Sequence, residues 1–364
     1  MISFTPTEEQ QLISDTVRRY AAERLRPAAH DADETRSTPL EVIARGWDLG
    51  LLPSAIPEVD GGFGDAHATI SGVLAAEELA YGDLPISLYL LTPGLFGLPI
   101  AHAGTAEQKE RWLPHLLGDT FAPYTAACIE PIWNFDPTAM QTTATRDGDS
   151  YLLSGQKAYV PLAADAAAML IYAREGQATQ IFIVERGSEG LEILDREQHM
   201  GLRALPTYGV RLEDVRVPAA ARLGGEQGID SRRLLDRSRV ALGALAVGVA
   251  RAAYEYAREY ALQREAFGKP IAQNQALAFM LAEMAIEIDA ARLMTWEAAW
   301  QLDQQLDATR QAVLARQYAD EAVLMVADRA VQILGGHGYI REHPVERWLR
   351  EARGFTTILG MAMV

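Results

Sequence analysis

The sequence has one cysteine, an acidic charge balance and no long apolar run. Cys128 is the single cysteine among 364 residues, which excludes a disulfide framework and a cysteine-based zinc cluster and fits a reducing cytoplasm. Lys plus Arg number 33 against 49 Asp plus Glu, a net charge of −16, which disfavours nucleic acid and anionic membrane as partners. No stretch approaches about 18 uncharged apolar residues, and no basic segment precedes an apolar run near the N-terminus. These absences predict a cytoplasmic protein without a membrane span or secretory signal.

What is present is an ordinary globular composition, with 49% hydrophobic and 23% charged residues. The length suits two or three domains of about 100–200 residues each. The local pattern changes twice along the chain. Residues 1–122 are helical in pattern, residues 123–228 hold short strand-like runs, and residues 229–364 are strongly helical. We therefore predict an α+β chain in which a helical architecture is interrupted by a small sheet domain.

Capping and turn signals place several elements. Thr5-Pro6-Thr7-Glu8 is a predicted capping box with Thr5 as its N-cap, and Thr105-Ala106-Glu107-Gln108 is a second box. Gly61-Gly62-Phe63-Gly64 predicts a turn before a helix at about 67–81. Long helices are predicted at 231–263, 272–303 and 308–334.

The middle region predicts a small antiparallel sheet. Asp147-Gly148 is a hairpin turn signal, and turns recur about every ten residues. The strand-like runs are Tyr151–Ser154, Met169–Tyr172, Ile181–Val184 and Val210–Leu212.

Two C-terminal stretches can be interpreted in two ways. Arg264 to Ile271 contains Phe267-Gly268 and Pro270, which can mark the end of one helix and the start of the next. The same stretch can present Arg264 as a planar cation to a phosphate. Gln332 to Tyr339 holds three glycines in four residues, which is either a helix C-cap or a place where a ligand approaches the backbone closely.

With their surroundings, these stretches strongly resemble the flavin-dependent acyl-CoA dehydrogenases. The residues that carry the resemblance are Tyr260-Ala261-Leu262-Gln263-Arg264-Glu265-Ala266-Phe267-Gly268-Lys269-Pro270-Ile271 and the run from Ala330 to Arg347, with supporting signatures at Val59–Gly64, Gly104–Lys109 and Glu130-Pro131. The resemblance spans the whole chain. It implies an N-terminal helical domain, a middle β domain and a C-terminal four-helix bundle. It also implies a dimer or tetramer with FAD near subunit interfaces, oxidation of an acyl-CoA at its α and β carbons, and electron-transferring flavoprotein as a partner.

The family shares each flavin between two subunits, and the residues that a subunit lends to its neighbour are present here. The resemblance matches Arg264 and Phe267 to the Arg and Phe that reach the neighbour's FAD. It matches Gln332, Gly335 and Gly336 to the residues at the adenine and diphosphate end. A guanidinium and unobstructed backbone amides suit a diphosphate chemically.

The residues that a subunit uses for its own flavin depart from the family pattern. Ile129 replaces the hydroxyl residue of Thr-Glu-Pro, and Phe135 replaces the small serine of Gly-Ser-Asp. The Trp-x-Thr pattern beside the isoalloxazine becomes Tyr159-Val160-Pro161, and proline has neither a hydroxyl nor an amide proton to donate. Two hydroxyl donors are therefore lost and one small residue has become aromatic.

The family's catalytic base is also replaced. Leu359 occupies the position of the glutamate before Gly-Thr, and leucine cannot accept a proton. A subset of the family carries its base on the first long helix of the bundle, where this chain has Ser238. A serine without an activating base is poorly suited to remove a proton from carbon. No catalytic residue is therefore assigned.

Three functions follow from this pattern. The favoured hypothesis is a non-catalytic subunit that lends its FAD-binding residues to a catalytic acyl-CoA dehydrogenase partner. The first alternative is a homo-oligomeric flavoenzyme with altered chemistry or a relocated base, for which Glu130, Tyr159 or His337 are candidates. The second is a flavin-free binder of acyl-CoA or acyl carrier protein, in which Asp236 and Arg239 occupy the family's CoA-contacting positions and Arg239 pairs with a phosphate. Alternatively, Asp236 and Arg239 form only an ion pair.

Overall fold

The computed structural model describes residues 4–64 and 69–364. Its N-terminal region is helical, as predicted. The helices are α1 (Glu8–Tyr20), α2 (Arg26–Thr35), α3 (Leu40–Trp47), α4 (Leu51–Ser54), α5 (Thr69–Gly82), α6 (Leu84–Leu91), α7 (Gly94–Ala103) and α8 (Ala106–Trp112). A π-helical segment, Ala21–Leu25, connects α1 to α2 directly.

The predicted N-cap of α1 is wrong by two residues. The Thr7 hydroxyl accepts from the amide of Gln10 at 3.2 Å, and the Gln10 side chain accepts from the Thr7 amide at 3.0 Å. This box also places Glu8 in the first turn, where its charge complements the helix dipole. The second predicted box, at Thr105, is confirmed. The predicted helix start at residue 67 lies outside the described residues.

The middle region forms one sheet from seven strands. They are β1 (Thr125–Ala127), β2 (Thr143–Asp147), β3 (Ser150–Pro161), β4 (Ala168–Glu175), β5 (Ala178–Glu185), β6 (Leu191–Arg196) and β7 (Thr207–Pro218). The strand order is β1-β4-β2-β3-β7-β6, and β5 pairs with β4. Each predicted strand-like run lies inside one of these strands.

Most of this sheet is antiparallel, as predicted, and the β1–β4 and β2–β4 pairs are parallel. The hairpin at Asp147-Gly148 is confirmed, with Asp147 opposite Ser150 in an antiparallel β2–β3 pair. In contrast, β1 runs parallel to β4, with Thr125 opposite Met169. Because 40 or so residues separate these strands along the chain, their pairing is not constrained by a tight turn and can be parallel.

The C-terminal region contains the three predicted long helices and two short ones. They are α9 (Ser231–Gln263), α10 (Gln275–Asp303), α11 (Thr309–Leu334), α12 (Gly336–Tyr339) and α13 (Val345–Gly354). Between α9 and α10 lies a hairpin of β8 (Glu265–Ala266) and β9 (Lys269–Pro270). The interpretation of Phe267-Gly268 as the end of α9 and of Pro270 as the start of the next helix is therefore wrong.

The N-terminal α5 packs directly on α9. A Cβ on Gly248 of α9 would lie 2.2 Å from the carbonyl oxygen of Glu77, so glycine permits this contact. Around it, Arg251 donates to Glu77 at 2.7 Å and to both oxygens of Glu78, and Arg292 of α10 also binds Glu77. The C-terminal helices and α5 therefore share one core.

In the described part of the chain, we find no single helix that is long and apolar enough to cross a bilayer. Helices α6 and α7 are long and apolar enough to cross a bilayer only when they are taken as one segment, and the angle between them is 43°. Most of their residues are buried in the protein.

Candidate functional site

The hairpin after α9 presents Arg264 and Phe267. The amide of Arg264 donates to the carbonyl of Tyr260 at 2.8 Å and ends the helix. The two turn residues, Phe267 and Gly268, have φ angles of 53° and 79°, the conformation of a two-residue type I′ hairpin turn. A phenylalanine with positive φ is strained, and such strain is concentrated at functional sites.

Both side chains are exposed, and the guanidinium has no polar partner among the described residues. Phe267 has a relative exposure of 104%, although a large aromatic residue would normally be at least partly covered. The exposed Arg264 guanidinium has no hydrogen bond or ion pair with any residue in 4–64 or 69–364. An extended aromatic side chain next to an unpaired guanidinium can contact a ligand or a second protein chain.

The glycine loop after α11 is open to approach. Gln332 is exposed in the last turn of α11, and its carbonyl accepts from the amide of Gly335 at 3.1 Å. Gly335 has φ 58° and ψ −129°, which favours glycine. A Cβ added to Gly335 or Gly336 would meet no atom within 4 Å. The backbone here leaves room for a bulky anion, in keeping with the predicted diphosphate contact.

The hairpin and the loop are connected through α9. The hydroxyl of Tyr260, one turn before Arg264, lies 2.6 Å from Nδ1 of His337, which follows Gly336. We call Arg264, Phe267, Gln332, Gly335 and Gly336 the lending surface. The structure thus places the hairpin after α9 and the glycine loop at the same end of α9. An exposed guanidinium and an open backbone are groups that suit a diphosphate.

The positions expected to hold the chain's own flavin carry apolar or aromatic side chains. Ile129 is only 7% exposed and packs in the same core as the C-terminal helices, and Pro161 is buried. Tyr159 has φ 55°, and its amide donates to the carboxylate of Glu197 at 3.1 Å. Phe135 is half-buried and packs against two of the hydrophobic cores. Apolar side chains therefore occupy positions where the family has hydroxyl groups or a small residue.

A cavity of about 140 Å³ lies between Tyr159 and the segment that carries Leu359. Its walls include His199 from the β domain and Thr357, Ile358 and Met361 from the C-terminal segment. Ile129, Phe135 and Pro161 offer no hydroxyl donor to a flavin held by this half of the site, and no reaction step is derived through a flavin held there.

Ser238 and Leu359 are the two positions expected for a catalytic base, and the segments that carry them contact each other. The Ser238 hydroxyl accepts from the amide of Gly360 at 3.0 Å, and Ser238 is 1% exposed. Leu359, next to Gly360, is half-buried, and residues 361–364 are buried. Ser238 holds the backbone in place here, and neither position offers a group that could remove a proton.

Glu130 is committed to a buried ion pair. Its carboxylate accepts from the amides of Gln141 and Thr142 at 2.7 Å each and from Nζ of Lys157 at 3.0 Å. Burial opposes ionisation, but the Lys157 ammonium and the two amides hold the pKa of Glu130 below its usual range. Burial lowers the pKa of Lys157, which is fully buried. An ionised, enclosed carboxylate of this kind is a structural group and cannot reach a substrate carbon.

Asp236 and Arg239 form an internal ion pair. Oδ1 of Asp236 accepts from Arg239 at 2.6 Å, and Oδ2 accepts from the hydroxyl of Thr309 at 2.8 Å. Asp236 is 2% exposed, whereas Arg239 is partly exposed. Their contact with a CoA portion stays a prediction. Asp236 also borders a cavity of about 910 Å³ between α7, α9 and the α10–α11 connection.

Sequence reasoning missed the residues that surround the glycine loop. The hydroxyl of Tyr256 lies 2.7 Å from Nδ1 of His343, and His343 stacks on His337 with ring centroids 5.3 Å apart. One signal was available, because Tyr256 and Tyr260 are spaced by one helical turn and precede Arg264. No sequence signal connects Lys157 to Glu130, which are 27 residues apart.

Comparisons with known proteins agree along the whole chain. The sequence matches the models for the acyl-CoA dehydrogenase N-terminal domain over residues 7–119, the middle domain over 126–215 and the C-terminal domain over 228–363. A probable acyl-CoA dehydrogenase of Bacillus subtilis is 36% identical, covering 97% of this chain and 94% of that protein. A caffeyl-CoA reductase–Etf complex subunit of Acetobacterium woodii is 36% identical, covering 98% of this chain and 96% of that protein. The structure of butyryl-CoA dehydrogenase from Megasphaera elsdenii superposes with a TM-score of 0.89 at 31% identity, covering 100% of this chain and 96% of that chain. The chain belongs to the acyl-CoA dehydrogenase family.

Proposed function

We propose that this chain is a non-catalytic subunit of a hetero-oligomeric acyl-CoA dehydrogenase and lends its FAD-binding residues to a catalytic partner chain. One observation carries the proposal. The lending surface is exposed and uncovered, whereas apolar side chains that are buried or half-buried stand at the positions for the chain's own flavin. Random loss of function would affect both halves of the site. Selective loss of one half is expected when only the other half is used.

Each lending residue has a distinct part in holding the partner's cofactor. The Arg264 guanidinium binds the diphosphate, since it is exposed and unpaired among the described residues. The open backbone at Gly335 and Gly336 admits the diphosphate, and Gln332 binds near the adenine. The Phe267 side chain covers apolar surface of the cofactor. The bound FAD supplies a hydride acceptor for acyl-CoA oxidation.

The partner must supply what this chain lacks. It is a family member with an intact own-flavin half, including the hydroxyl residues and the catalytic glutamate that Leu359 replaces here. The complex is a dimer or tetramer that oxidises an acyl-CoA and passes electrons to electron-transferring flavoprotein. The Acetobacterium woodii relative, which belongs to a complex with Etf, supports that electron acceptor.

Co-purification tests the proposal. The chain is expressed with a family member that retains the catalytic glutamate, and the complex is analysed by native mass spectrometry and visible spectroscopy. We expect a mixed oligomer with one flavin for every two chains. Arg264→Ala is expected to lower flavin retention about tenfold or more, since a charge-assisted hydrogen bond contributes about 1.5–3 kcal/mol. An exposed arginine of α3, Arg45, serves as the control.

Two outcomes contradict the proposal. One is a mixed oligomer whose flavin content does not respond to Arg264→Ala. The other is a homo-oligomer of this chain that carries one flavin per chain and oxidises an acyl-CoA, which is the result expected for a flavoenzyme with a relocated base.

A second candidate function is acyl-CoA binding without flavin. The 910 Å³ cavity beside Asp236 motivates it, because Arg233 and Arg237 line that cavity together with two cations that pair with aspartates, Lys109 with Asp60 and Arg232 with Asp230. Calorimetric titration of the chain alone with CoA tests this function. Micromolar binding that is lost in Arg237→Ala would support it.

A further inference from the structure

Two tyrosine–histidine pairs lie beside the glycine loop. Tyr260 and Tyr256 are one turn apart on α9, and their hydroxyls lie 2.6 Å and 2.7 Å from Nδ1 of His337 and His343. The two imidazole rings stack with centroids 5.3 Å apart and planes 27° apart. Two helical residues therefore hold two histidines in a fixed relative orientation.

The contacts with the tyrosines engage Nδ1 of each ring and leave Nε2 as the free nitrogen. Each tyrosine hydroxyl lies within hydrogen-bond distance of Nδ1 and can donate to it. A neutral imidazole that accepts at Nδ1 carries its hydrogen on Nε2. Neither Nε2 atom has a partner among residues 4–64 and 69–364. Both histidines therefore keep Nε2 free for a ligand, and this nitrogen is a donor when the tyrosine hydroxyl donates to Nδ1.

These donors lie next to the open backbone of the lending surface. His337 is exposed and directly follows Gly336, where a Cβ would meet nothing within 4 Å. Tyr260, which positions His337, is one turn before Arg264. The two stacked imidazoles, the open backbone at Gly336 and the Arg264 guanidinium are thus all at the same end of α9, where they can contact a phosphate-bearing ligand. Oxygens of a diphosphate are the acceptors that match such a donor set.

We propose that His337 and His343 bind the diphosphate of the lent nucleotide through Nε2–H, with Tyr260 and Tyr256 as positioning residues. This inference rests on the proposed function, since it concerns the same half-site. It adds two side-chain donors to a surface otherwise described by one arginine and open backbone. It also gives a physical reason for the paired tyrosines on the last turns of α9.

Titration of the full-length chain with ADP and with inorganic pyrophosphate tests the inference. ADP carries the adenine and the diphosphate of the cofactor, and pyrophosphate carries the anion alone. We expect both ligands to shift the His337 and His343 resonances in NMR spectra. We expect His337→Ala/His343→Ala to weaken ADP binding at least tenfold, since each lost N–H to a charged oxygen contributes about that factor. His30→Ala, an exposed histidine of α2, is the matched control.

A separate measurement tests the positioning role of the tyrosines. Long-range ¹H–¹⁵N spectra of the histidine rings are expected to show the Nε2–H tautomer in the wild type and a mixture of tautomers at His337 in Tyr260→Phe. His337→Gln should restore part of the ADP affinity lost in His337→Ala, because a glutamine amide also donates.

The inference is overturned if pyrophosphate shifts neither histidine, or if a folded His337→Ala/His343→Ala variant binds ADP as well as the wild type. Failure of the proposed function is a separate result. The chain would then form no mixed oligomer or would carry its own flavin, while the histidine titration could still succeed. Conversely, a mixed oligomer that retains flavin equally with and without the two histidines contradicts this inference alone.

Discussion

The buried Glu130–Lys157 pair provides a quantitative test of whether Glu130 is a structural group. Lys157→Met leaves a carboxylate that is 3% exposed without its counter-ion, and removing one partner of a buried pair costs about 3–5 kcal/mol. Two backbone amides, each at 2.7 Å, still bind Glu130, so we expect a loss near the lower end, about 3 kcal/mol. The double variant Glu130→Gln/Lys157→Met should be less destabilised than the sum of the single variants.

The assay is urea unfolding followed by circular dichroism, with the midpoint and slope fitted for each variant. Arg146→Met removes a surface partner of Glu226 in the same domain and should leave the midpoint nearly unchanged. Because the pKa of Glu130 is lowered on folding, the contribution of the pair is complete above the usual carboxyl pKa and falls as pH drops through the lowered value. A loss below about 1 kcal/mol for Lys157→Met would refute the reasoning and make Glu130 available again as a relocated base.

Three further perturbations follow from the described contacts. Ser238→Ala removes the acceptor of the Gly360 amide, so we expect about 1–3 kcal/mol of destabilisation in urea unfolding, and an unchanged midpoint would show that the contact contributes nothing. Burial raises the pKa of Asp83 from 3.8 to about 6, so its ionisation opposes folding as pH rises through that range. Asp83→Asn should gain stability relative to the wild type between about pH 4 and 7, and a constant difference across that range would contradict this. Phe267→Asn creates an Asn-Gly type I′ turn and should stabilise the isolated chain by about 1 kcal/mol while weakening flavin retention in the mixed oligomer. Equal flavin retention would remove Phe267 from the lending surface.

Elements with local signals could be predicted from the sequence. The long apolar runs of the last region predicted α9, α10 and α11, and the resemblance carried by Arg264 and the glycine loop is confirmed by the family comparison. The N-cap of α1 shows the limit of such signals. Thr5 and Thr7 both precede suitable residues, and only the geometry of Gln10 selects Thr7.

Features that depend on long-range packing could not be predicted. The hairpin after α9 requires Phe267 to adopt positive φ, which sequence preference for a bulky residue disfavours. The parallel β1–β4 pair and the Glu130–Lys157 pair join segments separated by a long connection, so no periodic pattern encodes them. The departures at the own-flavin positions could be seen in the sequence, but the small cavity beside Tyr159 required the structure.

The visible absorption spectrum of the isolated chain after incubation with excess FAD and gel filtration tests the central claim most directly. A chain whose own flavin positions are filled should elute colourless, and it should carry flavin only as part of a complex with a partner that holds the isoalloxazine. Stoichiometric flavin absorbance that elutes with the isolated chain would contradict the account.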